Sequence, residues 1–208
     1  TQIQKNLLAE DRLKVTASLR YDKSELFDGF FSPRLSLAYT AGAMKEHNIR
    51  ASVQTGFRNP TTQDLFIGLD AGRAVLVGSA EDNLDRDVRT YNVSQNAQNA
   101  GIPATAEVVG RAAYENAFSI SSVQSGAPSA ADVDIVKPEE VTSYEIGYRG
   151  KAGNFIIDLL GYHNKYKDFI SGEAVLVPFY GVVGDNSLSL FALQNGDYKA
   201  YSTYTNSD

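Results

Sequence analysis

Cysteine is absent from all 208 residues, which removes disulfides and thiolate metal sites from consideration. Tryptophan is absent as well, and methionine occurs once. No run approaches the roughly 18 apolar residues of a membrane-spanning helix, so a helical membrane protein is excluded. Basic residues are in the minority: 19 Lys and Arg stand against 25 Asp and Glu, and the net charge of −6 argues against nucleic acid as a partner. What is present is a β-leaning aromatic set of 12 Tyr and 10 Phe. Mean hydropathy is −0.26. That fits a soluble chain, but it fits a membrane β-barrel equally, because lipid-facing and lumen-facing residues alternate and average out.

Alternation with a period of two, the mark of a strand, is clear in several places. Over 12–22, Leu13, Val15, Ala17, Leu19 and Tyr21 alternate with Arg12, Lys14, Thr16, Ser18 and Arg20. Over 31–40, Leu35, Leu37 and Tyr39 share a face opposite Arg34 and Ser36; over 48–57, Ile49, Ala51, Val53 and Phe57 oppose Arg50, Ser52 and Gln54. Strands are expected at about 1–7, 12–22, 31–40, 48–57, 141–150, 154–170 and 198–205. The stretch 154–170 opens apolar on both faces, so its register is open. Between the strands lie a very long connection, 58–140, with helix-like pieces such as "TTQDLFIGL" and "AAYENAF", and a second long one, 171–197, a loop with some strand content. The chain opens on strand-like "TQIQKNLL" and closes on "YSTYTNSD", and it reads as an internal stretch of a longer protein.

The connections fall in order as short, modest, short, very long, short, long. Consecutive antiparallel strands place alternate connections at opposite ends of a sheet, so the short ones gather at one end and the longer ones at the other. A sandwich has no reason to sort its loops this way; an outer-membrane barrel has short periplasmic turns and longer extracellular loops. Phe31 and Tyr39 bracket Leu35 and Leu37 over about 26 Å of strand. Tilted by about 40°, that spans roughly 20 Å, close to the ~25 Å apolar band between aromatic girdles. The expected fold class is all-β: part of an antiparallel transmembrane barrel with large extracellular loops containing short helices.

At "GFRNPTTQDLF" (56–66) and "KPEEVTSYEIGYRG" (137–150) the chain resembles a TonB-dependent outer-membrane receptor. Gly56, Phe57, Arg58, Pro60 and Thr61 match the stretch where a strand of that family leaves the membrane outward. Lys137, Pro138, Glu139 and Ser143 through Arg149 match the returning strand. The long segment between them is similar to that of large receptors of Bacteroidetes type. The resemblance implies a barrel of about twenty-two strands, an N-terminal plug inside it, a partner TonB complex acting through that plug, and uptake of a scarce nutrient such as a siderophore, glycan, peptide or cobalamin-like ligand. The plug and the TonB-contacting segment are not in this sequence.

The expected partners are therefore outer-membrane lipid, the plug of the same full-length chain, the TonB complex and a small-molecule or oligomeric nutrient, in the Gram-negative outer membrane. Residues expected to face the lumen or plug are Arg20, Arg34, Arg50, Gln54, Glu145 and Arg149. Ligand candidates at the extracellular mouth are Arg58, Asn59, Gln63, Tyr91, Arg111 and Glu115, chosen because loops on a rigid rim carry function. For Arg58 a role in shaping the strand exit outweighs ligand contact, and Tyr114 reads as loop packing. No catalytic residue, metal or cofactor is assigned: His47 and His163 are far apart, no Gly-x-Ser-x-Gly occurs, and the acidic run 80–89 lacks the central glycine of a calcium loop. Two other readings compete. A soluble or surface-anchored β-sandwich binding glycan or protein would close its strands on their own core. An enzymatic barrel would need a Ser/His/Asp set.

Overall fold

The computed structural model describes residues 1–185 and 187–207, which form two compact units. The first comprises 1–59 and 138–169, and the second 60–137 and 170–207.

The first unit is one antiparallel sheet of six strands: β1 (Gln2–Leu7), β2 (Leu13–Asp22), β3 (Phe30–Ala41), β4 (His47–Arg58), β10 (Glu139–Ala152) and β11 (Phe155–Lys167), each paired with the next in that order. The three short turns, 8–12, 42–46 and 153–154, lie at one end of this meander; the longer connections 23–29 and 59–138 lie at the other. The sheet does not close on itself.

Register decides which residues share a side. Val15, Leu37, Ala51, Ile146 and Gly161 lie in one row across five strands, and Ala17, Leu35, Val53, Tyr144 and His163 in the next. The opposite side carries Lys14, Arg34, Arg50, Glu145 and Asp158. The apolar side is left open: Leu35, Leu37, Ile146 and Leu159 are all exposed. It is flanked at both ends by rings. Tyr21 and Phe31 pack at 4.7 Å near the long connections. Near the short turns, Tyr148 reaches over Gly150, where a side chain would collide with it, and its hydroxyl meets Nδ1 of His47 at 2.8 Å. The apolar side departs from its pattern at Lys5, and toward the long connections at His163, Lys165, Thr55 and Thr142 and in the outermost row at Glu140 and Lys167.

The second unit has a core of its own. Its sheet runs β5 (Gly68–Asp70), β6 (Val75–Val77), β13 (Tyr198–Ser207), β12 (Phe169–Pro178) and β9 (Phe118–Ser119), with β6 and β13 parallel; β7 (Val88–Asn92) and β8 (Thr105–Val109) form a separate ribbon. Helices α1 (Thr62–Phe66), α2 (Glu81–Arg86), α3 (Gln95–Asn99), α4 (Ala112–Glu115), α5 (Ile120–Gln124) and α6 (Leu188–Asn195) are short. Val75, Val77, Leu84, Val108, Val175, Val177 and Tyr201 form the buried cluster.

Four expectations are corrected here. The connection 58–140 is not loop with helices alone but also holds β5 to β9, strands of two to five residues that are too short to show alternation. The stretch expected as a second loop over 171–197 contains most of β12 and all of α6, because Val175 and Val177 are drawn into the second core. The strand expected at 198–205 forms, but it pairs in the second unit's sheet, where Tyr201 and Thr203 are fully buried. The strand expected over 154–170 ends at Lys167: Asp168 takes a left-handed conformation (φ 54°) and breaks the run.

Candidate functional site

Two groups of residues were expected to carry function, and each falls in a different setting. The lumen candidates, Arg20, Arg34, Arg50, Gln54, Glu145 and Arg149, all sit on the polar side of the six-stranded sheet, because their register places them out of phase with the apolar rows. An open basin of about 400 Å³ lies on this side, lined by Lys14, Arg34, Arg50, Ser52, Glu145 and Gly147 among others. Its lining mixes cations, hydroxyls and one carboxylate with hydrocarbon from Ala38 and Leu160.

The charges in the basin are arranged, not scattered. Arg50 lies over Gly147 on β10 and reaches Asp158 on β11 at 3.6 Å. The Ser52 hydroxyl donates to Glu145 at 3.4 Å. Arg20 binds Asp22, two residues along its own strand, at 2.6 Å. Arg34 stands opposite Gln54, and Arg149 opposite Asp158. Asp158 and Lys14 complete the cluster and were missed in the sequence. Asp158 hides in a strand apolar on both faces; as a carboxylate among "FIIDLL" it had to face away from hydrocarbon, and that alone would have set the register of β11.

The mouth candidates fall in both units, Arg58 and Asn59 in the first and Gln63, Tyr91, Arg111 and Glu115 in the second. Arg58 closes β4 against β10: its Nε lies 2.9 Å from Oε1 of Glu139, and its terminal nitrogen donates to Oε2 at 2.9 Å. Glu139 is only 8% exposed, so this fork is a strand staple. Asn59 follows it just past the end of β4, half-buried. In the second unit Gln63 donates to the Tyr204 hydroxyl at 2.9 Å. Tyr91 stacks flat on Phe179 with ring centres 4.6 Å apart. Arg111 binds Asp85 at 2.7 Å and Glu115 at 3.2 Å. The Arg111 guanidinium, through its hydrogen bond first, holds the Asp85 carboxyl below the ordinary carboxylate range.

The charged run 80–89 is likewise internally matched. Asp82 and Arg86 form an i,i+4 pair on α2, and Asp87 pairs with Arg89 at 2.9 Å. Tyr114 packs as expected: its hydroxyl donates to the Tyr204 carbonyl at 3.0 Å and accepts from the Tyr204 amide at 3.1 Å. Burial pushes that phenol up to about 12. Asp197, nearly fully buried, accepts from the Ser94 amide and hydroxyl and from the Tyr180 hydroxyl at 2.7–2.8 Å.

With these two sides of the sheet in view, the comparison with known families is decisive. Residues 2–207 match the family described as TonB dependent receptor-like, beta-barrel. The chain belongs to that family. Its six-stranded sheet is a part of the TonB-dependent receptor barrel, mostly antiparallel and here unclosed. Among solved structures, the chain is similar to the siderophore receptor PirA from Acinetobacter baumannii at 14% identity and a TM-score of 0.45, over 99% of this chain and 23% of that one. The chain thus spans about a quarter of that receptor's length. No curated protein matches it.

Proposed function

We propose that this TonB-dependent receptor chain is part of the wall and rim of an outer-membrane receptor that imports a scarce nutrient. The observation that carries the reading is the two-sided sheet: one side is exposed aliphatic residues between two sets of rings, the other a basin of arginines, hydroxyls and carboxylates. In an outer-membrane barrel the first faces lipid and the second faces water. The polar side then lines a lumen occupied by the plug of the full-length chain, and Arg34, Arg50 and Arg149 present cations to it.

The long connection 59–138 leaves from the end that this reading assigns to the cell exterior. Ligand is captured there, the plug rearranges under TonB-coupled energy, and the ligand passes inward. The residues perform gated import rather than bond chemistry. Siderophore, glycan, peptide and cobalamin-like ligands are the classes to compare.

The test is a deletion of the full-length receptor, with uptake measured for iron-siderophores, oligosaccharides, peptides and cobalamin. Loss of one class, repeated when the TonB complex is removed and restored by the receptor gene, is expected. Unchanged uptake of every class by cells that normally make the receptor abundantly would overturn the reading.

A further inference from the structure

The apolar side of the barrel sheet breaks its own pattern along β11. The side that begins as Phe155, Ile157 and Leu159 turns to Gly161, His163 and Lys165. Lys165 pairs with Thr142, which pairs with Thr55, so it stands one row inside the row of Phe57, Glu140 and Lys167. Two residues of tilted strand amount to about 5 Å along the barrel axis. Lys165 therefore lies two residues inside the last residue of β11, at the end with the long connections.

Lys167 has carboxylates at hand, Glu140 at 4.0 Å and Asp168 at 3.5 Å. Among the described residues no carboxylate pairs with Lys165. A lysine on a lipid-facing strand is tolerated when its stem follows apolar surface and its ammonium reaches an anion at headgroup depth. His163, stacked beside Tyr144 with ring centres 6.3 Å apart, adds a second polar group directly beneath it.

A separate feature lies under this pair. Across the row Leu37, Ala51, Ile146 and Gly161, two small residues alternate with two large ones, and a groove of about 560 Å³ opens on the same side. Leu35, Val53 and Tyr144 continue its wall toward Lys165. The groove is apolar and ends beneath a polar, cationic edge.

We propose that this place holds one phosphate-bearing lipid of the leaflet nearest the long connections, its phosphate on Lys165 and His163 and one acyl chain in the groove over Ala51 and Gly161. An anion directly above a hydrocarbon chain matches a cation directly above an apolar groove. This inference rests on the reading of the apolar side as lipid-facing.

The experiment uses the full-length receptor in phosphatidylcholine nanodiscs doped with bisphosphorylated lipid A or with the same lipid stripped of its phosphates. Retained lipid is counted by native mass spectrometry, and only variants that pass heat-modifiability on a gel are scored. Lys165→Gln is expected to lower retention of the phosphorylated lipid roughly fivefold, the worth of one lysine charge near a membrane surface. Lys165→Arg should preserve retention, and Ala51→Phe, which fills the groove, should lower it. Equal retention of the two lipids, or no effect of Lys165→Gln, overturns the proposal. Full displacement by inorganic phosphate would show a free-anion site and overturn it too. A nitroxide at position 37 separates the two ways of failing. If it collides with water-borne rather than lipid-borne quencher, the facing of the sheet is wrong; if it reads lipid while Lys165→Gln is silent, only the lipid site is wrong.

Discussion

Arg50 reaches Asp158 two strands away, at 3.6 Å, by crossing the backbone of Gly147. A Cβ at position 147 would lie 2.5 Å from Nε and 2.9 Å from Cγ of Arg50, so any side chain there displaces the guanidinium. The barrel wall is thus tied across three strands on its polar side by one ion pair and one missing side chain.

Gly147→Ala should break that tie without unfolding the sheet. Both partners are about half exposed, so the pair contributes no more than about 1 kcal/mol. In the full-length receptor, a double-mutant cycle of Gly147→Ala with Asp158→Asn, read from thermal melting in detergent, should be non-additive. Full additivity would mean that Arg50 and Asp158 act independently.

The Arg58–Glu139 fork should be asymmetric. Glu139 is buried and Arg58 is half exposed, so Arg58→Ala takes the guanidinium from a carboxylate that water reaches poorly, while Glu139→Ala leaves a cation that water can solvate. Arg58→Ala should cost roughly 1–3 kcal/mol and Glu139→Ala clearly less. Equal costs in denaturant melts of the receptor would contradict the staple and favour a ligand role for Arg58.

Asp197 should hold the second unit's α3 in place. Three donors converge on it, so Asp197→Ala leaves the Ser94 amide and two hydroxyls without their acceptor. Proteolytic cleavage within 93–100 should accelerate at least tenfold while the barrel stays heat-modifiable, since hydrogen bonds to a charged group contribute about 1.5–3 kcal/mol. Unchanged cleavage would remove Asp197 from that role.

Tyr114 sets an alkaline limit. Burial raises its folded value to about 12 against about 10 for a free phenol, so its neutral form is the one the fold favours. Its contribution is complete below pH 10 and is lost as pH rises through about 12. Tyr180 and Tyr201 are shifted upward too, chiefly by burial, and act in the same direction. Tyr114→Phe should flatten the fall in second-unit stability between pH 10 and 12, measured by amide hydrogen exchange. An unchanged slope would contradict the buried phenol.

How much of this was legible in the sequence follows from length. Strands of ten or more residues, such as β2 to β4, repeat their alternation often enough to reveal both sides, and the lumen candidates fall on one side for that reason. β11 hid its facing because Ile156, Ile157, Leu159 and Leu160 are apolar on both sides, and only its pairing with β10 resolves it. The second unit was illegible because its core joins segments far apart in the chain: Val75 and Tyr201 meet through a parallel pairing that no local pattern encodes. The mouth candidates were chosen by residue type; the ion pairs of Arg111 with Asp85 and of Arg58 with Glu139 are tertiary facts, whereas Arg111 and Glu115 are an i,i+4 pair already written in the sequence.

The central claim is that the two sides of the six-stranded sheet meet different solvents, and a matched pair of substitutions tests it most directly. Leu37 and Ser36 are neighbours on β3 that point to opposite sides, and Val53 and Ser52 repeat the arrangement on β4. In the full-length receptor, the folded fraction in outer membranes is read by heat-modifiability after each of the four is changed to Arg. Leu37→Arg and Val53→Arg should each lose roughly 2–4 kcal/mol of assembly, as an arginine near the bilayer midplane does, while Ser36→Arg and Ser52→Arg assemble normally. Equal loss at both parities, or greater loss at the serines, would contradict the account.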